Sequence, residues 1–234
     1  MSPFYLGDGD LFCIHHAPQS PVARGAILFV PPFAEELNKS RRMVSLQARA
    51  LAESGWHVLQ LDLTGCGDSS GEFCDAAWDV WLDDLYVARR WLMANCSGPL
   101  WIWGLRLGAL LACASLERDP EASTGLVFWQ PVVSGSLHLQ QFLRIKAAGE
   151  RVASGREGGS TQSMLETLRA GDCVEVAGYD LPPTVALPMA DATLALPKTA
   201  ARIRWFEVSP RADAGLAPAS MRIIETWKKS VTID

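Results

Sequence analysis

The sequence predicts an α/β fold with a mostly parallel β-sheet flanked by helices. Short apolar runs, typical of strands buried on both faces, alternate with longer segments of helical periodicity. Glycine, proline and polar clusters separate these segments. A strand, a crossover helix and a second strand place both strands parallel in one sheet. The chain of 234 residues has the length of one ordinary domain.

The N-terminal half supplies a hairpin and two buried strands. Two short extended segments flank the glycines and aspartates at 7–10, which is typical of a hairpin. The apolar run 26–30 predicts a strand that ends at Pro31 and Pro32, because proline cannot continue a sheet ladder. We then expect a helix over 39–54, a strand over 57–62, a glycine-rich loop over 64–71 and an amphipathic helix over about 76–95.

The second half continues this alternation and then interrupts it. We expect a strand at 100–103, a helix over 107–117 and a buried strand over 125–129. The later predicted elements are helix-like segments 137–148 and 164–170 around a polar stretch 153–163, a proline-punctuated tail, a strand over 202–208, a helix over 217–228 and a strand-like 230–233. We therefore predict a core made of 1–134 and 201–234, with 135–200 inserted as a cap over the C-terminal edge of the sheet.

Composition and charge exclude several classes of protein. Hydrophobic residues make up 49% and charged residues 20% of the chain, as in a globular protein with a large core. The net charge of -5 and the absence of a basic stripe argue against nucleic-acid binding. No apolar stretch approaches the roughly 18 residues of a membrane span, and no signal-peptide pattern is present, so we expect a cytoplasmic protein. The six cysteines lack metal-ligand and disulfide spacing, and we expect no cofactor.

The most informative motif is Gly104-Leu105-Arg106-Leu107-Gly108, between a predicted strand and a predicted helix. In the G-x-S-x-G nucleophile elbow, the central serine lies on a strained strand-to-helix turn, and the flanking glycines let the two backbones approach. An arginine holds the central position here. Because a guanidinium stays charged near neutral pH, it cannot attack a carbonyl. The motif therefore predicts an elbow whose nucleophile has been replaced.

Four motifs occur in a fixed order along the chain. They are the strand ending in 31–34, the loop Asp62-x-x-Gly65-x-Gly67-x-Ser69-x-Gly71, the turn 104–108, and a late strand followed by an acidic loop. This order resembles that of the α/β-hydrolase superfamily, whose esterase and lipase members share the second motif. The resemblance covers most of the chain outside 135–200, and it implies an α/β-hydrolase fold with a cap insertion.

A narrower resemblance rests on two segments. Residues 31–42, Pro-Pro-Phe-Ala-Glu-Glu-Leu-Asn-Lys-Ser-Arg-Arg, together with the turn 104–108, resemble the hydrolase-like proteins associated with bacterial exosortase A and exopolysaccharide loci. This resemblance implies a bacterial, cytoplasmic protein with a partner from that system. It says little about a substrate.

The superfamily's catalytic triad needs a nucleophile, an acid after a late strand and a histidine after the last strand. Arg106 cannot be the nucleophile, and Asp213 is placed where the acid would be, although a surface aspartate in a turn explains it equally well. A histidine loop would begin about where the chain ends. The four histidines, at 15, 16, 57 and 138, all precede the last predicted strand. We therefore do not expect ordinary triad catalysis.

Three other nucleophiles lie in the glycine-rich loop, Cys66, Ser69 and Ser70, but none has an evident activating base. One alternative function is therefore an ester or thioester hydrolase that uses an unrecognised nucleophile. Another is a purely structural role in an exopolysaccharide assembly complex.

The altered turn also predicts an anion site. The backbone N–H of Leu107, at the start of a helix, and the backbone of Phe33 and Ala34 would join Arg106 in binding a carboxylate, phosphate or sulfate, or an acyl ligand. Arg106 could equally pair with Glu35 or Glu36 and seal the pocket, because a buried arginine needs a partner. The sequence leaves both alternatives open, and the first also accommodates a partner protein.

Overall fold

The computed structural model describes residues 1–120, 125–154, 160–211 and 213–234. Its strands are β1 (Ser2–Leu6), β2 (Leu11–His16), β3 (Gly25–Val30), β4 (Trp56–Leu61), β5 (Leu100–Leu105), β6 (Gly125–Trp129), β7 (Val174–Val176), β8 (Tyr179–Leu181), β9 (Arg202–Phe206) and β10 (Thr232–Ile233). Eight of them form one sheet in the order β1-β2-β4-β3-β5-β6-β9-β10. β1 and β2 form the predicted hairpin, β2 is antiparallel to β4, and the remaining neighbours are parallel. The predicted fold class is confirmed.

The helices cover both faces of this sheet. They are α1 (Glu35–Glu53), α2 (Trp78–Asn95), α3 (Gly108–Arg118), α4 (Gly135–Ser154), α5 (Thr161–Ala170), α6 (Pro183–Asp191) and α7 (Pro218–Trp227). Successive residues of β3 show the two faces, because strand side chains alternate. Ile27 and Phe29 pack with α1, whereas Leu28 and Val30 join the core that contains α2, α3 and α7. No helix in the described part of the chain is long and apolar enough to cross a membrane.

Helix α1 begins at Glu35, earlier than the predicted start at 39. After Pro31 and Pro32 the chain turns sharply at Ala34, which has a φ of 49°. The N–H groups of Glu36 and Leu37 then donate to the carbonyls of Phe33 and Ala34. Glu35 and Glu36 therefore lie in the first helical turn, where negative charge is favourable. This early start directs Glu36 towards the end of β5.

Between β6 and β9, the structure contains three elements that the proline-punctuated sequence did not predict. β7 and β8 form a small antiparallel hairpin, and α6 follows it. Pro183 suits the first turn of α6, and Pro188 is tolerated because Val185 and Met189 are fully buried. Of the predicted polar stretch 153–163, residues 155–159 lie outside the described residues. The role of 135–200 as a cap stays a prediction.

The glycines of the predicted elbow allow a close approach between strands and helix. A Cβ on Gly108 would lie 2.2 Å from the carbonyl oxygen of Val30, and one on Gly104 would lie 2.6 Å from the Cα of Ala109. No real Cβ tolerates such distances. Only glycine therefore allows α3 to start this close to the ends of β3 and β5.

Candidate functional site

Arg106 lies on the turn between β5 and α3 with a φ of 53°, a backbone conformation rare for residues other than glycine. Three hydrogen bonds hold this backbone. The Arg106 N–H donates to the carbonyl of Trp129 at 3.0 Å, and the Arg106 carbonyl accepts from Ala109 and Val132, both at 3.1 Å. The side chain is thereby fixed at the C-terminal edge of the parallel strands.

The Arg106 guanidinium makes one ion pair and one weaker contact. Its Nε donates to Oε1 of Glu36 at 2.9 Å, and its Nη1 donates to the carbonyl of Gln130 at 3.4 Å. Glu35 pairs with Lys39 instead, at 3.8 Å. Of the two acidic partners considered for Arg106, Glu36 makes the contact. The pair keeps 29% and 27% of its side-chain surfaces exposed, so solvent still reaches Arg106.

A small cleft opens beside this ion pair. Its volume is about 70 Å³, and one water molecule needs roughly 10–15 Å³ by the same measure. The cleft therefore has room for a carboxylate or phosphate group, but it is far below the roughly 300–1,000 Å³ of a pocket for a whole small-molecule ligand. Its lining consists of Phe33, Glu35, Glu36, Arg106, His138, Gln141, Phe142 and Ile145.

Several polar atoms of the residues that line this cleft are buried without a hydrogen-bond partner among the described residues. They are Oε2 of Glu35, Oε2 of Glu36, and both ring nitrogens of His138. His138 itself is only 6% exposed. A buried polar atom without a partner costs about 1–3 kcal/mol. All four of these atoms belong to residues around one cleft.

Burial sets the charges in the cleft. Burial, helped by the nearby Arg106 charge, lowers the pKa of His138 to about 4, so its imidazole is neutral at pH 7 with one donor and one acceptor. Burial raises the pKa of Glu36, and the Arg106 charge opposes that effect without cancelling it. When Glu36 is ionised, it balances the charge of Arg106. When Glu36 takes up a proton, Arg106 offers a full positive charge.

The structure separates the residues that the sequence grouped into one anion site. Ala34 and Leu107 line a different cavity from Arg106, shared with Cys66 and with a volume of about 10 Å³. That is close to the smallest space that holds one water, roughly 10–15 Å³. Phe33 lines both cavities, and its ring lies 5.9 Å from that of His138. The cavity at the start of α3 is therefore too small for a ligand group, whereas Arg106 lines the larger cleft.

Of the three other nucleophiles considered from the sequence, Ser70 is exposed, and contacts within the fold account for Cys66 and Ser69. Burial raises the pKa of Cys66 to about 12, and the charges of Asp62 and Asp84 add to this effect. Such a thiol is protonated and a poor nucleophile at neutral pH. The Ser69 hydroxyl donates to the carbonyl of Asp62 at 2.5 Å and accepts from the N–H of Phe12 at 2.9 Å. Ser69 therefore joins the glycine-rich loop to β2.

Asp213, considered as the triad acid, is exposed and does not line the Arg106 cleft. Sequence reasoning missed Glu207, which directly follows β9. Its carboxylate accepts from Nε1 of Trp205 at 3.0 Å and from the N–H of Ala217 at 2.8 Å. Burial pushes the pKa of Glu207 upwards, but hydrogen bonds from Ser220, Ala217 and Trp205 lower it overall. Glu207 thus ties β9 to the start of α7.

Comparison with known proteins identifies the family. Residues 21–165 match the model of the family described as serine aminopeptidase, S33. The chain belongs to this family. The matched residues of this chain run from just before β3, through the Arg106 turn, into α5. No curated protein matches the chain.

Solved structures agree on the fold. The structure of Est1E from Butyrivibrio proteoclasticus with bound ferulic acid is 15% identical, covers 97% of this chain and 85% of its own, and superposes with a TM-score of 0.66. Mouse alpha/beta hydrolase domain-containing protein 10 is 15% identical over 100% of this chain and 87% of its own, with a TM-score of 0.62. At such identities the likeness concerns architecture alone, and it shows an α/β-hydrolase fold.

Proposed function

We propose that this protein binds a small anionic group through Arg106 and does not hydrolyse substrates through a serine triad. Arg106 lies on the strand-to-helix turn, where the G-x-S-x-G pattern places the nucleophile, and a guanidinium cannot form an acyl intermediate. The observation that carries the proposal is the cleft in which Arg106 meets unpaired polar atoms of Glu36 and His138.

The size and donors of the cleft favour one carboxylate or phosphate group. The Arg106 guanidinium gives charge-assisted hydrogen bonds to such groups, and neutral His138 adds one N–H donor. A volume of about 70 Å³ accepts that group and little more. The rest of an acyl ligand, or of a partner protein that presents a carboxylate, would remain outside, next to the exposed side chain of Ile145.

Binding of an anion must compete with Glu36 for Arg106. The raised pKa of Glu36 supports a mechanism in which the carboxyl takes up a proton as the anion arrives. The protonated carboxyl donates a hydrogen bond instead of repelling the ligand. Ligand binding and proton uptake are therefore linked in this proposal.

The test uses sulfate, whose charge is constant above about pH 3, and acetate as a carboxylate. Isothermal titration calorimetry and thermal shift are measured on the wild-type chain, on Arg106→Ala and on Arg90→Ala, a control that removes an exposed arginine from α2. We expect saturable binding that Arg106→Ala abolishes and Arg90→Ala leaves unchanged. Equal binding by all three proteins would refute the proposed site.

A second experiment tests the absence of triad catalysis. The wild-type chain, Ser69→Ala and Cys66→Ala are treated with a fluorophosphonate probe and a panel of p-nitrophenyl esters and thioesters. We expect neither stoichiometric labelling nor turnover. Turnover by the wild type that either substitution abolishes would establish the alternative function, an ester or thioester hydrolase with an unusual nucleophile.

The link to bacterial exosortase and exopolysaccharide systems rests on the sequence resemblance of residues 31–42 and 104–108. Glu35, Glu36 and Arg106, the charged residues of the cleft, belong to these segments. We therefore propose that the cleft serves a partner or ligand of that system, in the cytoplasm. Deleting the gene in its host should lower secreted exopolysaccharide, and the Arg106→Ala gene should fail to restore it. Full restoration by that variant would separate the cleft from the pathway.

A further inference from the structure

Two histidines and a cysteine from distant parts of the sequence meet at the edge of the sheet opposite Arg106. His15 lies near the end of β2, His57 lies near the start of β4, and Cys96 caps the C-terminus of α2. One ring nitrogen of each histidine and the Cys96 sulfur all lie within 4.8 Å of one another. We propose that these three side chains form a binding site for a divalent, borderline-soft metal ion, with Zn²⁺ as the best fit.

The distances are close to those of a zinc site. With Zn–N of about 2.0–2.1 Å and Zn–S of about 2.3 Å in tetrahedral geometry, the ligand atoms lie roughly 3.3–3.6 Å apart. Nε2 of His15 and Nδ1 of His57 are already 3.0 Å apart. Their ring planes differ by only 7°, with centroids 5.2 Å apart. Because the nearly coplanar rings direct these two nitrogens at each other, both imidazoles must rotate, with shifts of about an ångström, to bring all three ligand atoms onto one ion.

The backbone holds the two imidazoles in place. β2 and β4 are neighbours in the sheet, and their register pairs His15 with Leu59, two residues from His57. The two histidines therefore point to the same face of the sheet. The indole of Trp91 packs edge-on against His15, with centroids 5.2 Å apart. The site needs no rearrangement of the fold.

The ligand types suit a zinc ion. A metal binds neutral imidazole and thiolate, so binding at Cys96 releases the thiol proton. Two imidazoles and a thiolate favour zinc over the hard ions Mg²⁺ and Ca²⁺. A fourth position remains for water.

A metal at this position would join β2, β4 and the end of α2. It lies at the opposite end of the parallel strands from Arg106, because His57 is near the start of β4 and Arg106 follows the end of β5. We therefore infer a stabilising role that is independent of the proposed anion site. Sequence spacing does not predict this site, since its ligands come from three separate elements.

The site is tested by titrating the full chain with Co²⁺, a spectroscopic substitute for zinc, and then displacing it with Zn²⁺. We expect one equivalent to give the visible d–d bands of tetrahedral cobalt and a near-ultraviolet thiolate charge-transfer band. Zn²⁺ should remove both signals and raise the melting temperature. The matched control is Cys173→Ser, which removes an exposed cysteine and should leave the titration unchanged.

Two substitutions assign the ligands. Cys96→Ser should abolish the charge-transfer band, and His57→Gln should weaken cobalt binding at least tenfold, while circular dichroism shows that both variants are folded. A charge-transfer band that persists in folded Cys96→Ser would overturn the proposal. So would the absence of any saturable cobalt spectrum in the wild type, in which case the two histidines form only a hydrogen-bonded pair.

Discussion

Arg106 and Glu36 connect the turn after β5 to the first turn of α1, with 2.9 Å between Nε and Oε1. This contact makes Glu36 the internal competitor of any anion that binds Arg106. The ion pair is part exposed, and surface pairs typically contribute only about 0–1 kcal/mol. An anion can therefore displace Glu36 without unfolding the turn.

Glu36→Gln should strengthen sulfate binding and remove most of its pH dependence. In the wild type, burial raises the pKa of Glu36, so the carboxyl takes up its proton at a higher pH than an ordinary glutamate does. Protonation frees Arg106, and the affinity for sulfate should increase as the pH falls. The neutral amide of glutamine imitates the protonated acid at every pH. Calorimetry at pH 4, 5, 6, 7 and 8 measures both proteins.

The control for this prediction is Glu53→Gln at the exposed end of α1, which should behave like the wild type. A wild-type affinity that stays constant from pH 8 down to pH 4 would contradict the proposed linkage. So would a pH dependence that persists unchanged in Glu36→Gln.

His138→Phe should make the fold less sensitive to mild acid. The pKa of His138 falls from about 6.5 in the unfolded chain to about 4 in the fold. Between these values the unfolded state binds the proton and the folded state does not, so stability falls as the pH is lowered. This group should remove about 2 kcal/mol of unfolding free energy between pH 7 and pH 5. Urea unfolding at both pH values measures the effect.

Phenylalanine suits this position because Phe33 and Phe142 already pack there. Some acid sensitivity should remain in His138→Phe, since the pKa of His15 is also lowered to about 4. An identical loss of stability in both proteins would show that His138 is not buried in its neutral form.

Ser69→Ala should destabilise the fold by about 1–3 kcal/mol, because the buried carbonyl of Asp62 and the N–H of Phe12 lose their shared partner. Ser70→Ala is the matched control, since the adjacent Ser70 is exposed. Chemical denaturation compares the two variants with the wild type. Equal stability of all three proteins would remove the structural role assigned to Ser69.

Gly108→Ala should destabilise the protein by about 1–3 kcal/mol, the usual cost of overpacking. The added methyl group would press on the carbonyl of Val30 at 2.2 Å, and that backbone oxygen cannot move aside easily. Gly149→Ala is a control within helix α4, where the new Cβ would meet nothing within 4 Å. That control should gain up to about 1 kcal/mol from helix propensity. Thermal unfolding separates the two outcomes, and a neutral Gly108→Ala would disprove the tight elbow.

The architecture was predictable because its signals are local. The apolar runs that became β3, β5 and β6, and the glycines around Arg106, each specify a backbone conformation within a few residues. The helix α6 was not predictable in this way, since Pro188 opposes a helix locally and the burial of Val185 and Met189 overrides it.

The cleft depends on non-local geometry. Whether Arg106 contacts Glu35 or Glu36 is decided by the residue at which α1 begins, which is Glu35 instead of the predicted 39. Arg106 and Leu107 are consecutive residues of the strained turn, yet they line different cavities. His138 joins the cleft only because α4 packs against Phe33, far away in the sequence.

The C-terminal edge of the sheet holds an unusual set of backbone conformations. Ala34, Arg106 and Gln130 follow β3, β5 and β6, and they have φ values of 49°, 53° and 46°. Glycine would adopt these angles without a Cβ penalty, so a chain optimised only for stability would carry glycine at all three positions. This chain instead carries a Cβ at all three positions, and two of the side chains are anchored by contacts, Arg106 with Glu36 and Gln130 with the N–H of Val208. The backbone strain at Arg106 and Gln130 therefore places side chains that tie neighbouring elements together at this edge.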